Sequence, residues 1–279
     1  MGEMKVAGVQ MDVRLGECKA NLERVCEFAR TAAAEGARLV VFPECTLSGY
    51  CFRDIDEARA NSIDIEGPEI GALHQLCREL KLFVVVGLLE RDATRVHNTV
   101  VCVGPQGVVS RYRKIHLPYL GVDRFTTPGN RLEVFDVGSL KVGMNICYDC
   151  AFPEASRVLT LQGADLIVLP TNWPVTSGRT ADIIPIARAM ENNVYFMAIN
   201  RVGEEKGFTF IGKSKIVDPR GGELAAADGT QETILYATID PAVARQKRLV
   251  LIPGEHEIDR LLDRRPAVYQ PLTKTQLES

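Results

Sequence analysis

The chain has 279 residues, of which 46% are hydrophobic and 25% are charged, with a net charge of -3 at pH 7. This is an ordinary globular composition, and the charge gives no electrostatic reason to expect nucleic acid or an anionic membrane as a partner. No apolar run is long enough to span a bilayer, and no signal peptide precedes the first strand, so we expect a cytoplasmic protein. The eight cysteines lie in apolar or helical contexts, which favours reduced thiols over disulfides.

The N-terminal part of the chain predicts a strand, a helix and a second strand. Residues 5–10 form a compact apolar run, residues 21–36 carry apolar side chains at helical spacing, and residues 38–42 form another apolar run. A strand–helix–strand unit implies parallel pairing of its two strands. Pro43 and Glu44 end the second strand.

Strands and helices alternate through the rest of the chain. Helices are predicted over 66–80, 153–163, 178–193 and 241–249, and Pro185 should kink the third of these or delay its start. Strands are predicted over 82–89, 97–103, 108–112, 131–136, 141–146, 164–169, 194–199, 208–217, 223–226 and 233–239. No linker or repeat interrupts them, so we expect residues 1–279 to form a single α/β domain with strands in two sheets. Residues 258–279 are expected to form a polar C-terminal tail that contacts a neighbouring subunit.

Several predicted strands carry a polar residue at the carboxyl end, namely Glu44, Cys147, Asn172 and Asn200. In open α/β sheets this edge is where ligands bind. Cys147 also precedes a helix that begins with Pro153, and a helix N-terminus favours both a thiolate and an oxyanion. Cys147 is therefore a candidate nucleophile, although the same position also suits a small buried hydrophobe.

A cysteine nucleophile needs a base, and it needs a cation or hydrogen-bond donors for the oxyanion. Glu44 fits the base, because desolvation at a semi-buried strand end raises the pKa of a carboxyl group toward a useful range. The alternative for Glu44 is a loop carboxylate paired with an arginine. Lys114 follows a predicted hairpin and offers the cation, with a solvated lysine on an edge strand as its alternative.

Three short blocks of sequence, in this order and at this wide spacing, resemble the signature blocks of the nitrilase superfamily of carbon–nitrogen hydrolases. Each block contains one of the three candidate residues described above. The blocks are residues 41–44, 112–117 and 145–149, the last continued by 152–154. The similarity extends over nearly the whole chain and includes 188–192, 200–203 and 263–266.

The resemblance implies a four-layer αββα sandwich and a Glu–Lys–Cys catalytic set. By position these are Glu44 as base, Lys114 as electrostatic stabiliser and Cys147 as nucleophile, with the backbone N–H of Tyr148 as an oxyanion donor. Family members usually carry a second glutamate in the loop after the lysine, and the comparable position holds Asp123. The implied reaction is attack of the thiol on an amide carbonyl, loss of ammonia and hydrolysis of the resulting thioester. It requires no metal and no other cofactor.

The residues after the nucleophile, Tyr148 and Asp149, resemble the amidase and carbamoylase branches more than the true nitrilases. We therefore expect hydrolysis of a non-peptide C–N bond in a small amide, releasing ammonia and a carboxylic acid. The alternatives are hydrolysis of an N-carbamoyl amino acid or amine, a nitrilase, and a non-catalytic binding protein on the same fold. The family also implies a homodimer or a larger homo-oligomer.

Four residues are candidates for the substrate pocket. An arginine in the pocket would favour an ω-amide of a carboxylic acid, because a guanidinium binds a carboxylate well. The candidates are Tyr50, Asn172, Trp173 and Arg124.

Cys147 and Cys150 also form a Cys-x-x-Cys pair, which occurs in redox and zinc sites. A zinc site would need a second close pair, and Cys45 and Cys51 are not at zinc-finger spacing. A thioredoxin-like dithiol normally opens a helix in a much smaller domain. The sequence therefore favours the nucleophile over a metal or redox site.

Overall fold

The computed structural model describes residues 2–274 of the chain. The strands, in chain order, are β1 (Met4–Gln10), β2 (Leu39–Val41), β3 (Phe83–Asp92), β4 (Arg95–Gly104), β5 (Gly107–Arg113), β6 (Val134–Val137), β7 (Leu140–Met144), β8 (Leu166–Thr171), β9 (Tyr195–Asn200), β10 (Glu204–Glu205), β11 (Phe208–Thr209), β12 (Lys215–Val217), β13 (Glu223–Ala226), β14 (Thr233–Ile239), β15 (Arg248–Ile252) and β16 (His256–Asp259). The α-helices are α1 (Cys18–Ala34), α2 (Ile55–Ala60), α3 (Pro68–Leu80), α4 (Pro153–Leu161), α5 (Gly178–Asn192) and α6 (Pro241–Arg245).

Two six-stranded sheets form the centre of the molecule. The strand order is β14-β1-β2-β3-β4-β5 in the first sheet and β13-β12-β9-β8-β7-β6 in the second. Strands β1, β2 and β3 are parallel, as are β7, β8 and β9. The predicted parallel βαβ unit at the N-terminus is therefore confirmed, with Ala7 paired with Val40. The other neighbouring strands in both sheets are antiparallel.

The two sheets pack face to face around a shared apolar core. Alternate residues of each strand point into this core, because successive side chains in a strand point to opposite faces. The core side chains include Val6, Leu39, Val41, Val85 and Val100 from the first sheet, and Val142, Met144, Val168, Met197 and Ile199 from the second.

Helices cover the outer face of each sheet. Helices α1 and α3 pack on the first sheet, where Val25 and Leu73 meet Val40. Helices α4 and α5 pack on the second sheet, where Leu159 and Ala189 join the core. The order of layers is helix, sheet, sheet, helix, so the expected αββα sandwich is confirmed. Because both faces of the central strands are buried, those strands are almost continuously hydrophobic.

Three predicted elements differ from the structure. The strand predicted over 208–217 is divided into β11 and β12, because Gly212 and Lys213 adopt left-handed conformations (φ +62° and +56°) that an extended strand cannot contain. The helix predicted over 241–249 ends at Arg245, and the following residues form β15 instead. Helix α5 runs from Gly178 through the buried Pro185, so the expected delay of its start is wrong.

The C-terminal segment lies apart from the two sheets. Among the strands of residues 2–274, β15 and β16 pair only with each other. Large apolar side chains in this segment are exposed, Leu262 by 82% and Leu251 by 65%. The expected tail over 258–279 lies within this segment, although residues 275–279 lie outside the described residues. No helix within residues 2–274 is long and apolar enough to cross a membrane, and the expected cytoplasmic location stays a prediction.

Gly87 in β3 allows the loop after β2 to pack directly on the sheet. A Cβ atom at Gly87 would lie 2.4 Å from the backbone nitrogen of Cys45 and 2.6 Å from the carbonyl oxygen of Pro43. The backbone N–H of Leu47 donates to the carbonyl of Gly87 at 3.0 Å. The position of Glu44 in this loop therefore depends on the absence of a side chain at Gly87.

Gly87→Ala should destabilise the protein by about 1–3 kcal/mol, because the new methyl group must displace buried backbone. Gly71→Ala is the matched control, since Gly71 lies on the exposed side of α3 with no atom within 4 Å of its Cβ position. That control should be stabilised by about 0.5–1 kcal/mol, the usual gain for alanine within a helix. Urea unfolding of both variants at one protein concentration measures the difference. Equal stability of the two variants would contradict the tight packing at Gly87.

Candidate active site

Four loops meet at the carboxyl ends of strands β2, β5, β7 and β8. Glu44 follows β2, Lys114 directly follows β5, Cys147 follows β7, and Asn172 directly follows β8. Each strand is anchored in the core, so the first residues beyond its end have little freedom. The parallel arrangement thus brings residues that are far apart in the chain to one edge of the sandwich.

Lys114 lies between two carboxylates in the interior of the protein. Its Nζ atom lies 2.8 Å from Oε1 of Glu44 and 2.6 Å from Oδ2 of Asp123. The side chains of all three residues are fully buried. Two carboxylates and one ammonium leave this cluster one negative charge in excess when all three are ionised.

Two further side chains complete the hydrogen bonds of this cluster. Nδ2 of Asn98, in β4, donates to Oε1 of Glu44 at 2.7 Å and to Oδ1 of Asp123 at 2.8 Å. The Tyr50 hydroxyl donates to Oδ2 of Asp123 at 2.9 Å. Oε2 of Glu44 has no hydrogen-bond partner within residues 2–274, although it is buried. One oxygen of Glu44 is therefore held by two donors, and the other is free to accept a proton.

Cys147 opens a short 3-10 turn that spans Cys147–Ala151. Its backbone is left-handed, with φ +41°, which is uncommon for a residue other than glycine and costs conformational energy. The residue is half-buried, whereas Glu44 and Lys114 are fully buried. The turn thus places the Cys147 thiol close enough to Glu44 and Lys114 for their charges to act on it.

Asp149 holds this turn in place. Its carboxylate accepts hydrogen bonds from the Tyr112 hydroxyl at 2.7 Å and from the backbone N–H of Ile146 at 2.8 Å. Nδ1 of His116 lies 2.7 Å from the same carboxylate, and the His116 ring stacks on Phe152 with centroids 3.7 Å apart. Because Tyr112 belongs to β5 and His116 follows it, these contacts tie the Cys147 turn to the strand that carries Lys114.

The pKa values of the three candidate groups follow from burial and from their mutual charges. Burial raises the pKa of Glu44, and the ammonium of Lys114 opposes this rise. Burial lowers the pKa of Lys114, but the two carboxylates outweigh it and hold that pKa well above its usual value. Burial and the charge of Glu44 raise the pKa of Cys147 well above its usual value, although Lys114 opposes them. The raised pKa of Cys147 favours the thiol over the thiolate, and the raised pKa of Glu44 gives its carboxyl group a higher affinity for a proton.

Two cavities that share lining residues lie near Tyr50, which binds Asp123 of the cluster. The inner one, of about 10 Å³, is lined by Tyr50, Asn172 and Phe210 among others. The outer one, of about 330 Å³, contains the cationic side chains of Arg53, Arg124 and Lys206. The two share lining residues, which are Cys51, Leu120, Gly121 and Phe208.

Asn172 has an unusual environment at the inner cavity. The residue is only 3% exposed, yet neither polar atom of its side chain has a hydrogen-bond partner within residues 2–274. Its backbone N–H and the Thr171 side chain lie near the sulfur of Cys147 and lower the pKa of that thiol. A buried amide without partners is costly, so this side chain is suited to bind a polar group of a ligand.

The other predicted pocket residues have different surroundings. Arg124 donates to the carbonyl oxygens of Gly121 at 2.9 Å and Phe52 at 3.2 Å, and it lines the outer cavity. Trp173 packs in the apolar core beneath α5. We therefore do not propose Trp173 as a residue that contacts substrate.

The Cys-x-x-Cys pair does not form a disulfide, and all eight cysteines are free. Cys150 packs in the core beneath α4 and α5, where its carbonyl oxygen accepts hydrogen bonds from Arg188. Across the part of the chain that the structure describes, no group of three or more His, Cys, Asp or Glu residues could hold a metal ion.

Sequence reasoning missed Asn98 and the hydrogen-bonding role of Asp149. The signal for Asn98 is a polar run, 97–99, within an apolar strand, which indicates a buried polar contact. In the sequence, Asp149, Tyr112 and His116 can be recognised only as parts of the signature blocks. Their mutual contacts involve residues more than thirty positions apart, which periodicity along the chain cannot predict.

Known proteins share both the sequence and the fold. The carbon-nitrogen hydrolase family model matches residues 5–249. A protein named nitrilase from Pyrococcus abyssi (strain GE5 / Orsay) is 39% identical over 247 residues, which cover 88% of this chain and 93% of that protein. The omega-amidase NIT2 of Homo sapiens is 32% identical over 232 residues, which cover 79% of this chain and 83% of that protein.

A solved structure, the carbon-nitrogen hydrolase from Helicobacter pylori G27, has the same fold. Its TM-score is 0.85 at 24% sequence identity, covering 98% of this chain and 99% of that chain. The family match extends over all three signature blocks, so the resemblance of the sequence to the nitrilase superfamily is confirmed. The chain belongs to the carbon-nitrogen hydrolase family of the nitrilase superfamily, and it is a hydrolase of carbon–nitrogen bonds.

Proposed function

We propose that the protein hydrolyses a small primary amide through a thioester on Cys147, with Glu44 as base and Lys114 as the stabilising cation. The observation that carries this proposal is the Oε2 atom of Glu44, which has no partner within residues 2–274 and is fully buried beside the Lys114 ammonium and near the Cys147 thiol. A buried carboxylate with one free oxygen and raised proton affinity is suited to take a proton from a neighbouring thiol.

In the acylation step, Glu44 takes the proton of Cys147 as the sulfur attacks the amide carbon. The tetrahedral oxyanion accepts hydrogen bonds from the Lys114 ammonium and from the backbone N–H of Tyr148, which follows the nucleophile in its turn. Glu44 then gives its proton to the amide nitrogen, and the C–N bond breaks. Ammonia leaves, a thioester remains on the sulfur, and Glu44 is again a carboxylate.

In the deacylation step, a water molecule replaces ammonia beside Glu44. The carboxylate takes a proton from this water, whose oxygen attacks the thioester carbon. The C–S bond breaks, the carboxylic acid leaves, and Glu44 returns its proton to the sulfur. Asp123 holds the opposite side of the Lys114 ammonium throughout, which supports a role as the family's second carboxylate.

Asn172 favours an amide over a nitrile as the substrate. Its buried side chain offers a donor and an acceptor that both lack partners in residues 2–274. A primary amide supplies the complementary acceptor and donor, whereas a nitrile nitrogen can only accept. Nitrile hydrolysis is the second candidate, because the relative from Pyrococcus abyssi is named a nitrilase.

The outer cavity supports an acyl group that carries a carboxylate. Three cations line it, and Glu57 pairs with only two of them, Arg53 and Lys206. Arg124 has no carboxylate partner within residues 2–274, and its guanidinium could bind an anionic substrate group. The similarity to an omega-amidase supports the same substrate class, an ω-amide of a carboxylic acid.

The exposed C-terminal segment supports a homo-oligomer as the functional form. A two-stranded hairpin such as β15–β16 is at best marginally stable alone in water, so it needs a packing partner. Its apolar side chains, together with Leu262 and Leu272, are exposed in the single chain. We propose that they pack on a second copy, which makes the expected dimer or larger assembly.

Cys147→Ala should abolish ammonia release from a panel of small amides, at least a thousandfold below the wild-type rate, because no nucleophile remains. Cys150→Ala is the matched control and should keep activity, since Cys150 packs in the core and its thiol has no part in the proposed steps. Ammonia release from amides, ω-amido acids, N-carbamoyl compounds and nitriles is measured for all three proteins. The opposite pattern, with Cys150 required and Cys147 dispensable, would contradict the thioester mechanism.

Arg124→Ala should raise the KM for an ω-amido acid by about tenfold or more while leaving the KM of the neutral amide of equal length unchanged. Arg131→Ala is the control, because Arg131 is exposed and lines neither the inner nor the outer cavity. Steady-state kinetics with the two substrates separate the effects. An equal change for the charged and the neutral amide would show that Arg124 does not bind the carboxylate.

Leu262→Glu should shift the protein toward the monomer, because a charge on this exposed leucine cannot be buried between two copies. Val108→Glu, on the edge strand β5, is the control and should leave the mass unchanged. Size-exclusion chromatography with light scattering gives the mass of each protein in solution. A monomeric wild-type protein would refute the proposed assembly.

A further inference from the structure

We propose that Asn98 is a positioning residue that fixes which oxygen of Glu44 receives the thiol proton and frees one proton of Lys114 for the oxyanion. This inference rests on the proposed function and concerns the same site. It assigns a task to a residue that touches neither the substrate nor the sulfur. Asn98 would act only through the three ionic groups that surround it.

The first argument is the geometry of the Asn98 side chain. The two protons of Nδ2 point to different carboxylates, with donor–acceptor distances of 2.7 Å to Glu44 and 2.8 Å to Asp123. Its Oδ1 atom accepts from the Cys45 thiol at 3.5 Å. Carboxylates accept and a thiol donates, so only this orientation of the amide satisfies all three contacts. The residue is buried, and water cannot replace these bonds.

The second argument is the distribution of hydrogen bonds on Glu44. Its Oε1 atom receives one bond from Asn98 and one from Lys114, and its Oε2 atom receives none from residues 2–274. The carboxylate therefore cannot rotate to exchange its two oxygens without breaking two charge-assisted bonds. Asn98 thus keeps the unoccupied oxygen available for the proton of Cys147.

The third argument concerns the protons of Lys114. An ammonium has three, and the structure assigns one to Glu44 and one to Asp123. Asn98 supplies Asp123 with a donor for its other oxygen, so that carboxylate does not need a second proton from the ammonium. The third proton of Lys114 is left for the developing oxyanion. The carbonyl of Asn98 also accepts from the backbone N–H of Lys114 at 2.8 Å, which holds the two residues in register.

The charged and titratable groups around Glu44 come from four directions. Lys114 lies after β5, Asp123 lies in the turn Gly121–Arg124, Cys147 follows β7, and Cys45 and Tyr50 lie in the same loop as Glu44. Asn98 on β4 contacts Glu44 from the remaining side through its Nδ2 donor. A donor to the ionised form of a carboxyl lowers its pKa, so loss of Asn98 should raise the pKa of Glu44 above its present, already raised value.

The test is the pH dependence of Asn98→Leu, which keeps similar volume and removes both donors. The acidic limb of kcat/KM for ammonia release should move to higher pH by about one unit, and activity should recover on the alkaline side of the new limb. Asn21→Ala is the control, because Asn21 is equally buried but bonds only to backbone groups of Arg14 and Leu47 and not to the ionic cluster. The acidic limb of kcat/KM for Asn21→Ala should stay at the wild-type pH.

A second readout needs no substrate. The rate of alkylation of Cys147 by iodoacetamide, followed by intact mass, depends on the same transfer of the thiol proton to Glu44. Its acidic limb should show the same upward shift in Asn98→Leu. If the wild-type protein alkylates with such a limb but releases no ammonia from any amide, the proposed function fails while the inference about Asn98 is still tested.

An activity loss of equal size at every pH, with the limb unmoved in both assays, would overturn the inference and leave Asn98 a purely structural residue. Should Asn98→Leu not fold, Asn98→Asp takes its place, since it keeps the shape of the side chain and removes the amide protons. Its acidic limb should move in the same direction and further, because a second carboxyl group then faces Glu44 beside Asp123. An unmoved limb in Asn98→Asp would equally overturn the inference.

Discussion

The Lys114 ammonium held between Glu44 and Asp123 is the constraint on which the rest of the structure depends. Transferring these charges from water to the interior is costly, and only close contacts with good geometry offset that cost. Removing one member of such a buried cluster typically costs about 3–5 kcal/mol, because the remaining charges lose their partners. The protein therefore retains the cluster at the expense of stability. Buried ionic groups of this kind are typical of functional sites, whereas apolar side chains would fill the same space at lower cost.

Much of the surrounding structure serves to keep these charges in place. Gly87 lets the loop with Glu44 rest on the backbone of β3. A second ionic group, in which buried Glu90 binds Arg111 and Arg113, anchors β5 immediately before Lys114. These arginines lie on the edge strand β5, where the alternative for Lys114 was a solvated lysine. They instead pair with the buried Glu90 of β3, two strands away in the sheet, and the lysine that follows them points inward.

The sequence was sufficient for the fold class and for most strands, because strands such as β8 and β9 are uninterrupted apolar runs with polar ends. It was insufficient where tertiary contacts decide the backbone, as at Gly212 and Lys213, which divide a predicted strand. The candidate nucleophile, base and cation came from strand ends and from the family resemblance. Asn98 could not be recognised in the same way, since its role depends on two carboxylates brought to it from distant parts of the chain.

The free oxygen of Glu44 has a further consequence for the whole catalytic cycle. In the proposed reaction a proton passes from sulfur to carboxylate to nitrogen, and ammonia departs uncharged. The total charge of Glu44, Lys114, Asp123 and Cys147 is thus the same when Cys147 is a free thiol and when it carries an acyl group. No counterion needs to enter or leave at any stage, so the walls around the ionic cluster can remain closed while substrate exchanges only at the sulfur.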